Sequence, residues 1–506
     1  MTTRAKKVAG ALTALATLAG ATWLPSVAST NAATPPTGFA LVALSPTLLA
    51  TRSPGAPVRL DLGVLVTGHD QSLEIRTKRQ SYGSAWISTL TVRAADGRRL
   101  RSLTLPRSTV STTGIRLFGQ VVVSSDGVPV ASGPVSWCPG RNLRQRVDVE
   151  GATDAIYPNS CSIHPFSFGR LNGLERGWGS AVATTLALPA SLPDGEYDVE
   201  FTVGPTMASR LRMSGEARRV RLTLTLTTLT TLATAAAPPV VTTPVPEPEL
   251  HHVESIDAAI LASTEITHEL AAAPTVAGPA QDTLPDLSAL PAYRIRAIHQ
   301  DDRDVLTFAA NTWNRGPAPL VVEGYRIPGT ELMDANQIFY RDGAPVSSAP
   351  IGQMLFHRGV GHDHWHFTDF TRYELTNSRK RVVATSGKQS WCVAPTDAID
   401  LNVPGALWQP ETTSLASACG TVDAQWLRQV LPVGWGDTYV QTAAGQAIDI
   451  TELPNGRFYI RVTVNPEQTL HERRTTNNVS YRLVILGGTP GNRTVRVPAH
   501  QGVNTG

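Results

Sequence analysis

Four of the chain's twelve histidines fall within ten residues: His357, His362, His364 and His366. The last three alternate in the word "GHDHWHF". Alternate residues of a strand share a face. Extended chain therefore turns these three imidazoles one way and Asp363 and Trp365 the other, whereas a helix would scatter them. Three alternating histidines are poor packing material and good metal ligands. All-imidazole sites suit copper or zinc, with Cu(II) at the top of the affinity order. Three histidines with open coordination also suit a catalytic zinc. A straight strand would separate the outer Cα atoms by about 13 Å, so one metal held by all three requires a local bend.

Two more residues stand out by rarity and context. After Lys6 and Lys7 the only lysines are Lys78, Lys380 and Lys388, although arginine is plentiful. Lys388 lies four residues before Cys392 in "SGKQSWCV", beside an apolar strand pattern, where a disulfide would fix it firmly. Tyr439 closes "GWGDTY", beyond the next cysteine, Cys419. A lysine amine becomes nucleophilic once uncharged, and desolvation near a positive metal lowers its pKa toward that state.

The elements that must position these residues are strands. Short runs such as "VRLDLGVLVTG", "YDVEFTV" and "RVRLTLTLT" on one side, and "DVLTFAANTWN", "RFYIRVTVN" and "YRLVIL" on the other, alternate with period two between Gly, Pro, Asn and Asp. That pattern predicts an all-β fold of two β-sandwich-like domains. The boundaries expected are residues 36–227 and 284–490, joined by a Pro/Ala/Thr-rich linker at 228–283 and followed by a tail at 491–506. The halves echo each other. "SWC" and "GWG" recur in the same order, with Cys161 and Cys419 between them, which reads as an internal duplication. The first copy has Pro134 and Val182 where the second has Lys388 and Tyr439, and it has no histidine cluster. Features absent together are expected to work together.

Residues 1–33 read as a secretory signal peptide: Arg4, Lys6 and Lys7, then the apolar run Val8–Leu24, then small residues. The expected location is outside the cell, with no membrane segment after cleavage. The four cysteines then suit disulfides, most simply the local pairs Cys138–Cys161 and Cys392–Cys419. Removing the three leader charges turns 44 Lys+Arg against 41 Asp+Glu into 41 against 41. Bulk charge thus gives no footing for nucleic acid.

The span Leu284–Leu486 resembles the catalytic domain of lysyl oxidases. The matching words are "LPDL" at Leu284–Leu287, "HDHWHF" with "RYEL", "GKQSWC", "GWGDTY", "IDITELPNGRFYIRVTVNP" and "TNNV", in that order. The resemblance implies copper on His362, His364 and His366, and a cofactor, lysine tyrosylquinone, made by joining Lys388 to an oxidised Tyr439. It implies that peptidyl lysine or small primary amines are oxidised by O2 to aldehydes, with release of H2O2 and ammonia. It also implies the Cys392–Cys419 disulfide.

Two departures matter. The family's proposed base, a histidine before the Tyr-Asp-Leu run, is replaced by Arg372, which cannot take a proton at ordinary pH. Asp369 and Asp437 are the candidates to replace it. A calcium site is implied at Asp286, Leu287, Glu472, Asn477 and Asn478, but Arg474 stands where the family has a second acid; it is expected to pair with Glu472 or Asp286. Tyr373 is a rival quinone precursor, although "RYEL" reads as strand core. The competing reading is a non-catalytic exported β-sandwich protein that binds copper or zinc. A zinc hydrolase is disfavoured, since neither GxSxG nor HExxH occurs.

Overall fold

The computed structural model describes residues 37–111, 114–140, 144–159, 161, 164–229, 279–358, 363–388, 390–442 and 445–505. The expected signal peptide, nearly all of the linker and His362 lie outside these residues. The described chain is all-β, with one short α-helix, Pro205–Leu211. Among the described residues no helix is long and apolar enough to cross a membrane.

Alternation does what the sequence pattern requires. Gly195–Val203 buries Tyr197, Val199, Phe201 and Val203, and Gly456–Val464 buries Phe458, Ile460, Val462 and Val464. In the first half a ten-stranded sheet faces the four-stranded antiparallel sheet of Gly169–Leu174, Gln71–Lys78, Ile87–Ala94 and Arg99–Leu105. One core draws side chains from both, including Ile75, Leu90, Val121 and Phe201, as in a β-sandwich.

Among the described residues, the second half has three sheets around one main core. The first runs His364–Phe367, Ala344–His357, Leu332–Arg341, Leu320–Arg326, Trp426–Leu431. The second runs Val382–Thr385, Thr371–Thr376, Gly456–Val464, Val479–Thr489, Asn492–Arg496. The third runs Leu287–Ala289, Arg303–Asn314, Trp435–Tyr439, Asp397–Ala398, with Tyr293–Gln300 and Ala447–Asp449 also pairing on Arg303–Asn314. Residues 491–506, expected as a tail, instead supply the edge strand Asn492–Arg496. Both disulfides form as the local pairs Cys138–Cys161 and Cys392–Cys419. The tryptophan before the first cysteine of each pair, Trp137 or Trp391, is fully buried.

The halves fall within one compact unit and share a small apolar cluster of Phe166, Leu290, Tyr293, Trp313 and Ile399. His164 is sealed beside it. Its ring stands edge-on to Tyr293 at 4.5 Å, and its Nδ1 accepts the Phe166 N–H at 3.2 Å. Burial, reinforced by Arg294 and Arg79, lowers the His164 pKa to about 3. Below its ordinary value of 6.5 the unfolded chain takes up a proton that the folded chain refuses, so stability falls with pH through the window from 6.5 to 3. Acidification from pH 7 to pH 5 is expected to cost the wild type about 2 kcal/mol from this group. Denaturant titrations at the two pH values should show a smaller loss in His164→Phe.

Candidate active site

Strand pairing assembles the imidazoles. His364–Phe367 lies antiparallel to the end of Ala344–His357, with His357 opposite His364 and Leu355 opposite His366. His364 and His366 share a face as the alternation requires, with ring centroids 4.8 Å apart, and both are buried. Trp365 between them packs on Phe356 and donates from its indole to the Thr421 carbonyl. Asp363 is exposed. His357 stacks on His366 at 5.1 Å. The sequence shows His357 near the motif but gives it no role; only the cross-strand register reveals the contact. Ser390 Oγ lies 3.3 Å from His366 Nδ1. In the tautomer that donates from Nδ1 to Ser390, the Nε2 lone pair points away as a metal ligand, the usual arrangement for a ligating histidine. Among the described residues no three His, Cys or acidic groups close into a metal centre. The third expected ligand, His362, is outside them. Two buried imidazoles 4.8 Å apart, with Ser390 beside His366, are a donor set that suits copper or zinc.

Tyr439 comes from a different sheet and meets this pair. Its ring centroid is 6.4 Å from that of His366 and 4.3 Å from that of Trp391, and the residue is 1% exposed. The backbone N–H of the disulfide-bonded Cys392 donates to its hydroxyl at 2.7 Å. Lys388 Nζ sits 4.4 Å from the centre of the same ring, with Lys388 7% exposed. The backbone N–H of Lys388 donates to Ser386 Oγ, which in turn donates to the Gly445 carbonyl. Burial lowers the Lys388 pKa to about 8, against the opposing pull of Asp437. The Tyr439 hydroxyl is pushed well up by burial and then by Asp437, with the Cys392 amide acting the other way.

The two candidate bases separate clearly. Asp437 is fully buried on the Tyr439 strand, and burial raises its carboxyl well above the usual range. The Ala394 amide and Lys388 pull it down, while Asp397 adds to the rise. Asp369 lies in an exposed turn with φ of 52°; among the described residues it shares no contact with Lys388 or Tyr439. Arg372 is ion-paired with Glu467. Tyr373 is buried in the core against Phe308 and Trp391, close enough to Asp437 and Tyr439 for both to raise its phenol pKa after burial. Among the described residues no lysine lies over its ring, as Lys388 does over Tyr439.

A second polar cluster joins the ends of this half. Asn477 Nδ2 donates to Asp286 Oδ1 at 2.7 Å, and Asn478 and Asn465 donate to Glu472 Oε1 at 2.6 and 2.7 Å. The Leu287 N–H donates to Glu472 Oε2 at 3.2 Å. Burial raises the Glu472 carboxyl against these bonds. The amide oxygens of Asn477 and Asn478 are buried without a partner among the described residues. Arg474 forms no ion pair with Glu472 or Asp286 there, contrary to the expectation that it would.

Residues 348–489 match the lysyl oxidase family. That matched segment lies within the C-terminal half of this chain. Lysyl oxidase homolog 3B of Danio rerio is 31% identical over 118 residues, 23% of this chain and 13% of that protein. Lysyl oxidase homolog 3 of Homo sapiens is 30% identical over 118 residues (23% and 14%), and lysyl oxidase homolog 2 of Gallus gallus 30% over 127 residues (24% and 14%). The match thus spans about one seventh of the length of these curated relatives.

Within the matched segment one buried side chain ties the histidine strand to the chain after Cys392. Gln429 Nε2 donates to the Trp365 carbonyl at 2.8 Å, and its Oε1 accepts the Val393 N–H at 3.0 Å. Gln429→Leu leaves both backbone groups buried and unpaired. The expected loss is about 2–4 kcal/mol in urea unfolding.

Proposed function

We propose that this protein is an exported, copper-dependent amine oxidase that forms lysine tyrosylquinone from Lys388 and Tyr439 and converts primary amines, peptidyl lysine among them, to aldehydes, H2O2 and ammonia. The supporting observation is the Lys388 amine 4.4 Å from the Tyr439 ring centre, inside a core where few lysines occur. His364 and His366, with His362, would hold copper, which supplies the electron transfer by which O2 oxidises the tyrosine ring. Two disulfides agree with export.

The chain's own residues do the rest. Trp391 and the Cys392 N–H fix the Tyr439 ring and its oxygen. Lys388 must lose its proton before its nitrogen can bond to a ring carbon. Burial disfavours both an ammonium at Lys388 and a carboxylate at Asp437, so the neutral pair that addition requires is accessible near neutral pH. Once Lys388 is consumed, Asp437 loses its cationic neighbour, which favours its protonated form further. Asp437 would serve as the base for the proton on the carbon next to the substrate nitrogen only after its carboxyl has released its own proton, for example to the incoming amine.

The test is amine-dependent H2O2 release by copper-loaded, aerobically incubated protein. Release is expected from the wild type and from Tyr373→Phe, and not from Lys388→Met or Tyr439→Phe. No release at full copper occupancy would leave a metal-binding surface protein. The rate at which activity develops after copper addition should rise from pH 6 to about pH 8 and level off above, because Lys388 is uncharged above its pKa of about 8.

For the second cluster we propose that the asparagine amide hydrogens, rather than an obligatory ion, satisfy Asp286 and Glu472. Calcium would require Asn477 and Asn478 to turn their oxygens inward. A chelator is expected to leave the thermal midpoint unchanged. Arg474→Asp is expected to make that midpoint rise with added calcium.

A further inference from the structure

The segment from Ala394 to Asn402 touches the candidate active site at one end and the N-terminal half at the other. At the site end, the segment lies along the strand Trp435–Tyr439. Thr396 Oγ1 donates to the Gly436 carbonyl at 3.2 Å and accepts the Thr438 N–H at 2.6 Å. Asp397 pairs with Gly436, and the Ile399 and Asp400 N–H groups both donate to the Gly434 carbonyl at 2.9 Å. The strand that carries Asp437 and Tyr439 is therefore held along one edge by this segment.

At the other end the partners belong to the first half. The Ile399 carbonyl accepts the Phe168 N–H at 2.7 Å and the Gly169 N–H at 3.1 Å. Gly169 and Asp400 form a parallel bridge, and Asn402 Nδ2 donates to the Thr77 carbonyl at 3.1 Å. A Cβ on Gly169 would lie 2.0 Å from Asp400 Oδ1 and 2.3 Å from Asn402 Nδ2, so the fit depends on glycine. Further along, Trp408 stacks on Tyr157 at 5.7 Å, and Gln409 Nε2 donates to the Tyr157 carbonyl at 2.5 Å. The Trp435 indole donates to the Leu407 carbonyl at 2.5 Å, returning the contact to the Tyr439 strand. The edge of the Gly169–Leu174 sheet thus runs on through residues 397–400 to the strand Trp435–Tyr439.

We propose that the N-terminal half, which lacks the histidine cluster, the lysine and the tyrosine, is an intramolecular brace. It clamps residues 394–402 and 407–409 and so sets the strand Trp435–Tyr439 against Lys388. Phe168, Gly169, Tyr157 and Trp408 are positioning residues and touch none of the reacting groups. The consequence for catalysis rests on the amine-oxidase reading; the brace itself does not.

The experiment is hydrogen exchange by mass spectrometry on the full-length protein, comparing wild type, Gly169→Val, Trp408→Ala and Trp408→Phe, with amine-dependent H2O2 release measured in parallel. Peptides covering 394–402 and 434–440 should exchange about tenfold faster in Gly169→Val and Trp408→Ala, and Trp408→Phe should restore protection. Peptides from Ala344–His357 and the copper stoichiometry should not change. If Gly169→Val fails to fold, the Trp408 pair carries the test. Unchanged exchange at 434–440 in the folded variants would overturn the brace. Faster exchange there supports it even if the wild type releases no peroxide, in which case the amine-oxidase reading alone fails.

Discussion

Keeping a lysine amine in contact with a tyrosine ring inside a β core is the constraint on which the rest of the second half depends. Lys388 and Tyr439 come from chain segments 51 residues apart in number, and neither has solvent to fall back on. Burial lowers the lysine pKa and raises the phenol and the Asp437 carboxyl. All three shifts favour neutral forms, which suits a bond-forming step between amine and ring. Three sheets meet to enforce it. One brings the histidines, another Tyr373, and the third Asp437 and Tyr439. The disulfide-bonded Cys392 adds a backbone donor to the Tyr439 oxygen.

A site assembled from three sheets needs its strands held from outside, and the chain has a second half available to do so. The two halves bury matching tryptophans next to matching disulfides. Only one carries the chemistry-bearing side chains. The other meets it through backbone hydrogen bonds at Phe168 and Gly169 and through an aromatic stack at Tyr157. Such contacts transmit position well because neither end can rotate away as a long polar side chain would.

The sequence was most legible where one local rule decides the outcome. Period-two alternation identifies the strands and puts His364 and His366 on one face. Laying the halves over each other by their SWC and GWG words singles out Lys388 and Tyr439, at positions where the first half has Pro134 and Val182. It was least legible where a long-range register decides. The contact of His357 with His366 depends on how Ala344–His357 pairs with the histidine strand. Gln429 and Ser390 act on the site from elements that no motif connects to it. The choice between Asp369 and Asp437 turns on burial, which both could have had by composition and only Asp437 has. Residues 492–496 look like an ordinary polar terminus, yet they complete a sheet edge.

Peptide mass spectrometry on copper-loaded, aerobically incubated protein addresses the central claim most directly. The result expected is one cross-linked species joining the Lys388 and Tyr439 peptides, present in Tyr373→Phe and absent in Tyr439→Phe. Unmodified Lys388 and Tyr439 peptides at full copper occupancy, or a cross-link through Tyr373, would contradict it.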